Sequence, residues 1–214
     1  MAAAGSWDRH YRRDKSLLSY PDENLVRLLK SSLAGTSPGE MCAADLGCGS
    51  GRHLFLLRES GISCVIGMDC SLNALHLSRS VGGFPLMQGS IADLPLRDAS
   101  LDLAVTWGSL HYAPKSELAP MLSEIRRVLK EGACLLGTLR CARDSYLPRG
   151  RDLGNNSWIV GGGDIRESVI SFYEEGELFE AFAAFRDFRY GLMERTPLGE
   201  RERVISHWFF SCRR

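Results

Sequence analysis

The stretch Ala44-Asp-Leu-Gly-Cys-Gly-Ser-Gly51 decides the fold of this chain. The apolar residues 41–46 predict a strand that runs into it, and the spacing of apolar residues over 52–60 predicts a helix that follows it. Glycines at such a junction let the backbone turn tightly and let a ligand approach closely. The stretch therefore predicts a strand–loop–helix unit with a ligand above the loop.

Further strands and helices alternate on either side of this stretch, which is typical of an α/β fold with a parallel sheet covered on both faces. Strands are predicted at 64–68, 84–88, 101–106 and 133–139, and a helix at 172–185. The last two strands, 188–193 and 204–211, are joined by too few residues for a crossover helix, so we expect them to be antiparallel. We expect one domain over residues 1–214, with an N-terminal helical extension at 1–39 and a loop insertion at 140–170.

Two acidic residues distinguish between the ligands that a glycine loop can hold. Asp69 ends the second strand, where a carboxylate accepts hydrogen bonds from ribose hydroxyls. A nicotinamide dinucleotide needs a third small residue in the loop, and Arg52 stands at that position. Asp45 would repel a pyrophosphate but would attract a ligand that carries a sulfonium and an ammonium group. S-adenosylmethionine (SAM) has both groups and an adenosine.

Five segments resemble the motifs of class I SAM-dependent methyltransferases. They are the glycine loop, Asp69 after the second strand, residues 89–96 after the third, residues 99–106 in the fourth, and residues 124–132 before the fifth. The resemblance covers roughly residues 40–140, in the order of the family. It implies a Rossmann-like, doubly wound sheet of seven strands, mostly parallel with an antiparallel C-terminal strand, and SAM as cofactor.

The resemblance also implies roles for particular residues in binding SAM. The methionine part would lie over the glycine loop and beside the end of the fourth strand, at Asp45, Gly47, Cys48, Gly49, Gly51, Thr106 and Trp107. The adenosine would be held by Asp69 at the ribose and by residues around the adenine, namely Cys70, Ile91, Ala92 and Asp93. By analogy with related enzymes, the N-terminal extension would cover the cofactor through Trp7, Tyr11 and Arg12.

The methyl acceptor is expected beside the ends of the fourth and fifth strands, because ligands of parallel sheets bind at the carboxyl ends of strands. His111 is a candidate general base, or a residue that fixes its loop, and Tyr112 lies beside it. Arg140 and Arg143 could bind a carboxylate or phosphate of the acceptor, or could belong to a solvated loop. We expect a small polar or anionic metabolite as acceptor. The alternatives are a SAM-binding protein without catalysis, and a methyltransferase for protein or nucleic acid.

The composition of the chain limits the kinds of partner and the compartment that we expect. Lys+Arg and Asp+Glu both number 26 among 214 residues, so the chain lacks the basic excess that nucleic-acid binders usually show. Its seven cysteines form no C-x-x-C pair, which favours reduced thiols in a cytoplasmic protein over a disulfide framework or a metal site. No apolar run has the length of a membrane span. The sequence does not distinguish between a monomer and a homodimer.

Overall fold

The computed structural model describes residues 2–12, 18–163 and 165–214. Its helices are α1 Ala2–Tyr11, α2 Glu23–Leu33, α3 Arg52–Glu59, α4 Leu72–Arg79, α5 Leu118–Val128 and α6 Glu175–Ala181. Its strands are β1 Cys42–Leu46, β2 Cys64–Asp69, β3 Leu86–Gln88, β4 Leu101–Thr106, β5 Leu129–Arg140, β6 Arg149–Gly154, β7 Ser157–Val160, β8 Val169–Ser171, β9 Arg186–Arg195 and β10 Ile205–Arg213. Among the described helices, none combines the length and hydropathy that crossing a membrane requires.

Seven strands form one sheet in the order β3-β2-β1-β4-β5-β10-β9. The first five in this order pair in parallel, whereas β10 lies antiparallel between β5 and β9. The strand order reverses between β1 and β4, and ligands of doubly wound sheets bind at this point. The predicted fold class, including the antiparallel C-terminal strands, is confirmed.

Helices cover both faces of this sheet, which is why β1 and β4 are buried along most of their length. One face packs against α2, α3 and α4 through residues such as Leu25, Leu54 and Leu75. The other face packs against α5 and α6, with Ile125 and Leu178 fully buried. The core therefore lies in two layers, and the carboxyl ends of the strands remain free to form a site.

Local capping fixes where the helices begin. The Asp22 carboxylate accepts a hydrogen bond from the Asn24 N–H at 2.9 Å, and Ser71 Oγ accepts one from the Ala74 N–H at 3.2 Å. Gly51 precedes α3 in the left-handed conformation, with φ +88°. Asp22, Ser71 and Gly51 therefore fix the first residues of α2, α4 and α3 respectively.

The insertion at 140–170 differs from the expected loop. Residues of β6, β7 and β8 form a three-stranded antiparallel sheet, which we call the cap sheet. Its polar outer surface, with β6 exposed throughout, hid the strand pattern in the sequence. The helix predicted at 172–185 spans only Glu175–Ala181, because Phe172 and Tyr173 are buried against the cap sheet and the main core respectively.

Candidate active site

Two cavities open at the carboxyl ends of the strands. The smaller, about 160 Å³, lies over the glycine loop between α1 and residues 108–121. The larger, about 750 Å³, lies over the ends of β5, β10 and β9, beneath residues 146–148, Gly162, Gly163 and Ile165 of the insertion. Gly108 and Tyr112 line both cavities, so the two spaces meet at the end of β4.

The glycine loop is held to the end of β2 by backbone hydrogen bonds. The N–H groups of Gly47 and Cys48 both donate to the Met68 carbonyl, at 2.7 and 2.9 Å. Gly47 has φ +87°, and a Cβ there would lie 2.5 Å from Ser109 Cβ. Position 47 therefore requires glycine both for its backbone angle and for the approach of the loop that follows β4.

Asp69 organises the floor of the smaller cavity. It is 6% exposed, and its two carboxylate oxygens accept the Gly49 and Ser71 N–H groups, each at 2.9 Å. Burial raises the pKa of Asp69, while these backbone hydrogen bonds act to lower it. Each oxygen retains a lone pair, so Asp69 can accept hydroxyl groups of a ligand in the cavity.

Asp45 is a buried carboxylate that lacks a hydrogen-bond partner among the described residues. It is fully buried, and neither of its oxygens accepts a hydrogen bond. Burial raises the pKa of Asp45 to about 7, and it lowers that of neighbouring His53 to about 3. The two side chains lie 3.8 Å apart, between His53 Nδ1 and an Asp45 oxygen. Such a group is costly to bury unless a cation or donor satisfies it.

Helix α1 packs directly on the glycine loop. A Cβ on Gly49 would lie 2.5 Å from the Tyr11 hydroxyl, and the Trp7 ring contacts Tyr112 with centroids 4.6 Å apart. The Asp8 carboxylate accepts a hydrogen bond from Ser71 Oγ at 2.5 Å. The smaller cavity falls below the roughly 300 Å³ at the lower end of ligand pockets because α1 fills part of the space.

A buried charge network forms the floor of the larger cavity. Arg140 Nη1 donates to His207 Nε2 at 3.0 Å, and Arg140 Nη2 lies 2.8 Å from an Asp144 oxygen. Asp144 also accepts the N–H groups of Tyr146 and Ser206, at 3.1 and 2.9 Å. Burial and the Arg140 charge lower the pKa of His207 to about 2, so its ring is neutral at physiological pH.

Comparison with known proteins finds similarity to methyltransferases. A family model described as a methyltransferase domain matches residues 43–132, which contain the glycine loop, Asp69 and β4. A putative methyltransferase of Encephalitozoon cuniculi is 34% identical over 98 residues, covering 45% of this chain and 44% of that protein. Residues 43–132 are therefore similar to a methyltransferase domain.

One further relative and one solved structure that are similar to this chain are also methyltransferases. An uncharacterised methyltransferase of Synechocystis is 36% identical over 112 residues, covering 52% of this chain and 51% of that protein. The chain thus aligns with about half the length of these curated relatives. The structure of a Burkholderia thailandensis 1,6-didemethyltoxoflavin-N1-methyltransferase, with S-adenosylhomocysteine bound, has a TM-score of 0.68 at 15% identity over all of this chain and 86% of that one, which shows a shared fold.

SAM is the methyl donor of the methyltransferases that this chain resembles, and residues in and next to the smaller cavity fit it. The unpartnered Asp45 carboxylate lies in β1 just before the glycines and lines neither cavity, and its charge suits a nearby ligand with positive charge. The remaining lone pairs of Asp69 suit ribose hydroxyls. Gly47 and Gly49 carry no side chain that would fill the space above the loop. In the present position of α1, Tyr11 lies against Gly49, so a molecule of this size needs α1 to move outward.

Only some of the other residues predicted to bind the cofactor line the smaller cavity. Trp7, Tyr11, Cys70 and Ile91 line the smaller cavity, as a cofactor role requires. Ala92 and Asp93 follow Ile91 but line neither cavity, and Arg12 is exposed just after α1. Four other predicted cofactor residues do not line the smaller cavity. Cys48 is buried beside Ser78, and Gly51 packs on the same serine. Thr106 Oγ1 faces the Leu136 carbonyl, and Trp107 lines the larger cavity. The side-chain roles of Cys48 and Thr106 at the methionine part therefore lack support from this geometry.

His111 lies beneath the site surface. It is fully buried, lines neither cavity, and its ring centroid is 4.4 Å from that of Tyr112. Burial and the nearby Arg140 charge lower the pKa of His111 to about 3. Its catalytic role stays a prediction, whereas Tyr112, one residue later, borders both cavities.

The cations of the larger cavity differ from those expected. Of the predicted pair, Arg140 lines the cavity, but Arg143 is exposed and lies 3.3 Å from a Glu194 oxygen. Sequence reasoning missed Arg52, Arg195 and Arg203, which line the cavity with Arg140, and it also missed His207. A histidine within the otherwise apolar strand 204–211 was the one available signal, because such a polar residue marks a strand face that meets a site.

Proposed function

We propose that the protein transfers the methyl group of SAM to a small polar or anionic acceptor bound in the larger cavity. The observation that carries the proposal is the junction at Gly108 and Tyr112, where a cavity above the methyltransferase glycine loop meets a second cavity. A donor in one cavity and an acceptor in the other would face each other at this point.

The chain's own residues act mainly by alignment. Bound SAM supplies an electrophilic methyl group on a sulfonium, which needs little acid–base assistance when the acceptor is already nucleophilic. Asp45 and Asp69 would fix the donor from below, and Trp107 and Tyr112 would fix the acceptor at the junction. Tyr112 and α1 together would exclude water from the transferring methyl.

The size of the larger cavity supports a small acceptor over a macromolecule. About 750 Å³ lies within the range of pockets for small ligands. Equal numbers of acidic and basic residues leave the chain without the basic excess that nucleic-acid binders usually show. The structurally similar B. thailandensis enzyme was solved with its small acceptor, 1,6-didemethyltoxoflavin.

Calorimetric titration of the purified chain with SAM, and separately with NADH, tests the donor. We expect saturable SAM binding and no NADH binding. A panel of small acceptors is then screened by release of S-adenosylhomocysteine. SAM binding with no release from any acceptor class would favour a non-catalytic SAM-binding protein, and absence of SAM binding would refute the proposal.

A further inference from the structure

Two arginines that line the larger cavity form no ion pair with a carboxylate of the described residues. Of its four arginines, Arg140 pairs with Asp144 at 2.8 Å and Arg203 with Glu200 at 2.6 Å. Arg52 Nη1 donates only to the Tyr20 carbonyl, at 3.1 Å. Among the described residues, no carboxylate lies within ion-pair distance of either Arg52 or Arg195.

The carboxylates that border this cavity are already engaged. Asp22 caps α2 by accepting the Asn24 N–H at 2.9 Å. Glu194 accepts Ser206 Oγ at 2.9 Å and lies 3.3 Å from Arg143. The cavity therefore keeps a positive excess that its own acidic residues do not neutralise.

Like charges lie close to one another in this space. Burial contributes most to lowering the pKa of Arg52, and the Arg195 charge adds to it, whereas the Asp45 and Asp22 carboxylates raise it. The Arg195 charge also helps to lower the pKa of His207, after burial, Arg140 and His111. Bringing several cations to one cavity costs electrostatic energy, which an anion bound among them would recover.

We infer that the acceptor carries a carboxylate or phosphate group, and that Arg195 binds this group beside the Arg140–His207 pair. The inference rests on the proposed function, because it assigns a chemical class to the acceptor of that reaction. Arg195 ends β9 at the rim of the cavity and is exposed, so its guanidinium is free to receive an anion from solvent. A guanidinium binds the planar oxygens of such groups through two parallel hydrogen bonds.

The sheet places this anion site away from the methyl group. β9 lies three strands from β4 in the order β4-β5-β10-β9, which separates their backbones by about 14 Å at ordinary strand spacing. Gly108, where the two cavities meet, follows β4. The acidic group and the methylated atom therefore lie at opposite ends of the acceptor, so the anion site orients the molecule.

Titration with inorganic phosphate tests the site without a known acceptor. The readout is the side-chain Nε–Hε signals of the arginines in ¹H–¹⁵N NMR spectra, recorded at constant ionic strength. Arg195→Gln is compared with Arg189→Gln, which removes the same charge from an exposed position on the same strand outside the larger cavity. Arg195→Lys tests whether charge alone suffices.

We expect saturable phosphate binding that weakens about tenfold or more in Arg195→Gln, partly recovers in Arg195→Lys and is unchanged in Arg189→Gln. Equal phosphate affinity in the two glutamine variants, or no saturable binding by the unmodified chain, would overturn the inference.

A second experiment tests whether Arg195 binds the acceptor or instead binds the carboxylate of SAM. If Arg195 serves the acceptor, SAM affinity is unchanged in Arg195→Gln and phosphate still binds the SAM-saturated protein. A parallel loss of SAM affinity, with phosphate and SAM excluding each other, would assign Arg195 to the cofactor and overturn the inference. The phosphate arm needs no SAM, so failure of the proposed function would be seen separately, as absence of SAM binding.

Discussion

The two cavities are built in different ways. The smaller one is formed largely by consecutive loops after β1, β2, β3 and β4, and Asp69 in its floor is buried. The larger one draws on α2, β5, β9, β10 and the insertion, and its charged residues are mainly arginines. Under the proposed function, the smaller cavity would hold the cofactor and the larger cavity the acceptor.

Replacing Asp69 should reduce SAM affinity more than any other substitution proposed below. Asp69→Ala removes the acceptor of ribose hydroxyls, and hydrogen bonds to a charged group contribute about 1.5–3 kcal/mol each. We expect SAM affinity to fall about a hundredfold or more by calorimetry. The melting temperature is the control, because Asp69 also binds the Gly49 and Ser71 N–H groups. Unchanged affinity in a folded variant would refute the assignment.

Gly47→Ala should have the next largest effect. The new Cβ would lie 2.5 Å from Ser109 Cβ and would push apart the loops after β1 and β4. We expect SAM affinity to fall about thirtyfold, that is, by about 2 kcal/mol. Gly132→Ala is the matched control, because Gly132 also has a positive φ but nothing lies within 4 Å of its Cβ position. If both variants bind SAM equally well, the close approach at position 47 has no role in the site.

The pH dependence of SAM binding should report on Asp45. In the free protein burial raises the pKa of Asp45 to about 7, with Asp69 adding to the shift and Arg52 opposing it. Ionised Asp45 attracts the positive groups of SAM, so affinity should fall as the pH drops below 7. We expect about a tenfold loss between pH 7.5 and pH 6. Asp45→Asn should bind weakly and lose this dependence, and a wild-type slope in that variant would assign it to another group.

The smallest expected effect concerns the docking of α1. Arg9 pairs with Glu167 at 2.8 Å, but both side chains are more than half exposed, so the ion pair contributes less than about 1 kcal/mol. Arg9→Gln should change SAM affinity by no more than about threefold, and high salt should remove the difference. Arg12→Gln is the control. A tenfold effect would mean that this ion pair, rather than Trp7 and Tyr11, holds α1 in place.

The donor side could be predicted from the sequence because its signals are local. Asp69 ends its strand, and the glycines follow theirs directly. Thr106 Oγ1 faces the Leu136 carbonyl on β5, so the role of Thr106 at the methionine part stays a prediction.

The acceptor side could not be predicted in the same way. Arg140 and His207 meet only because β10 pairs antiparallel with β5 in one register, and no local pattern encodes that register. The sequence correctly predicted that the last two strands are antiparallel. It did not predict which of their side chains would lie opposite those of the neighbouring strand. Arg195, at the end of β9, carried no signal at all.

The way the insertion joins the sheet has a consequence for the evolution of substrate range. The chain leaves at Cys141 and returns at Tyr173, and these residues form a parallel bridge, with the Tyr173 N–H bonded to the Arg140 carbonyl at 2.8 Å. Because its ends meet, this segment can be lengthened or exchanged at little entropic cost. Arg140, Arg195 and His207 all lie outside it. Under the proposed function, changes in this segment would alter the shape of the acceptor site, while Arg140, Arg195 and His207 would keep its charge.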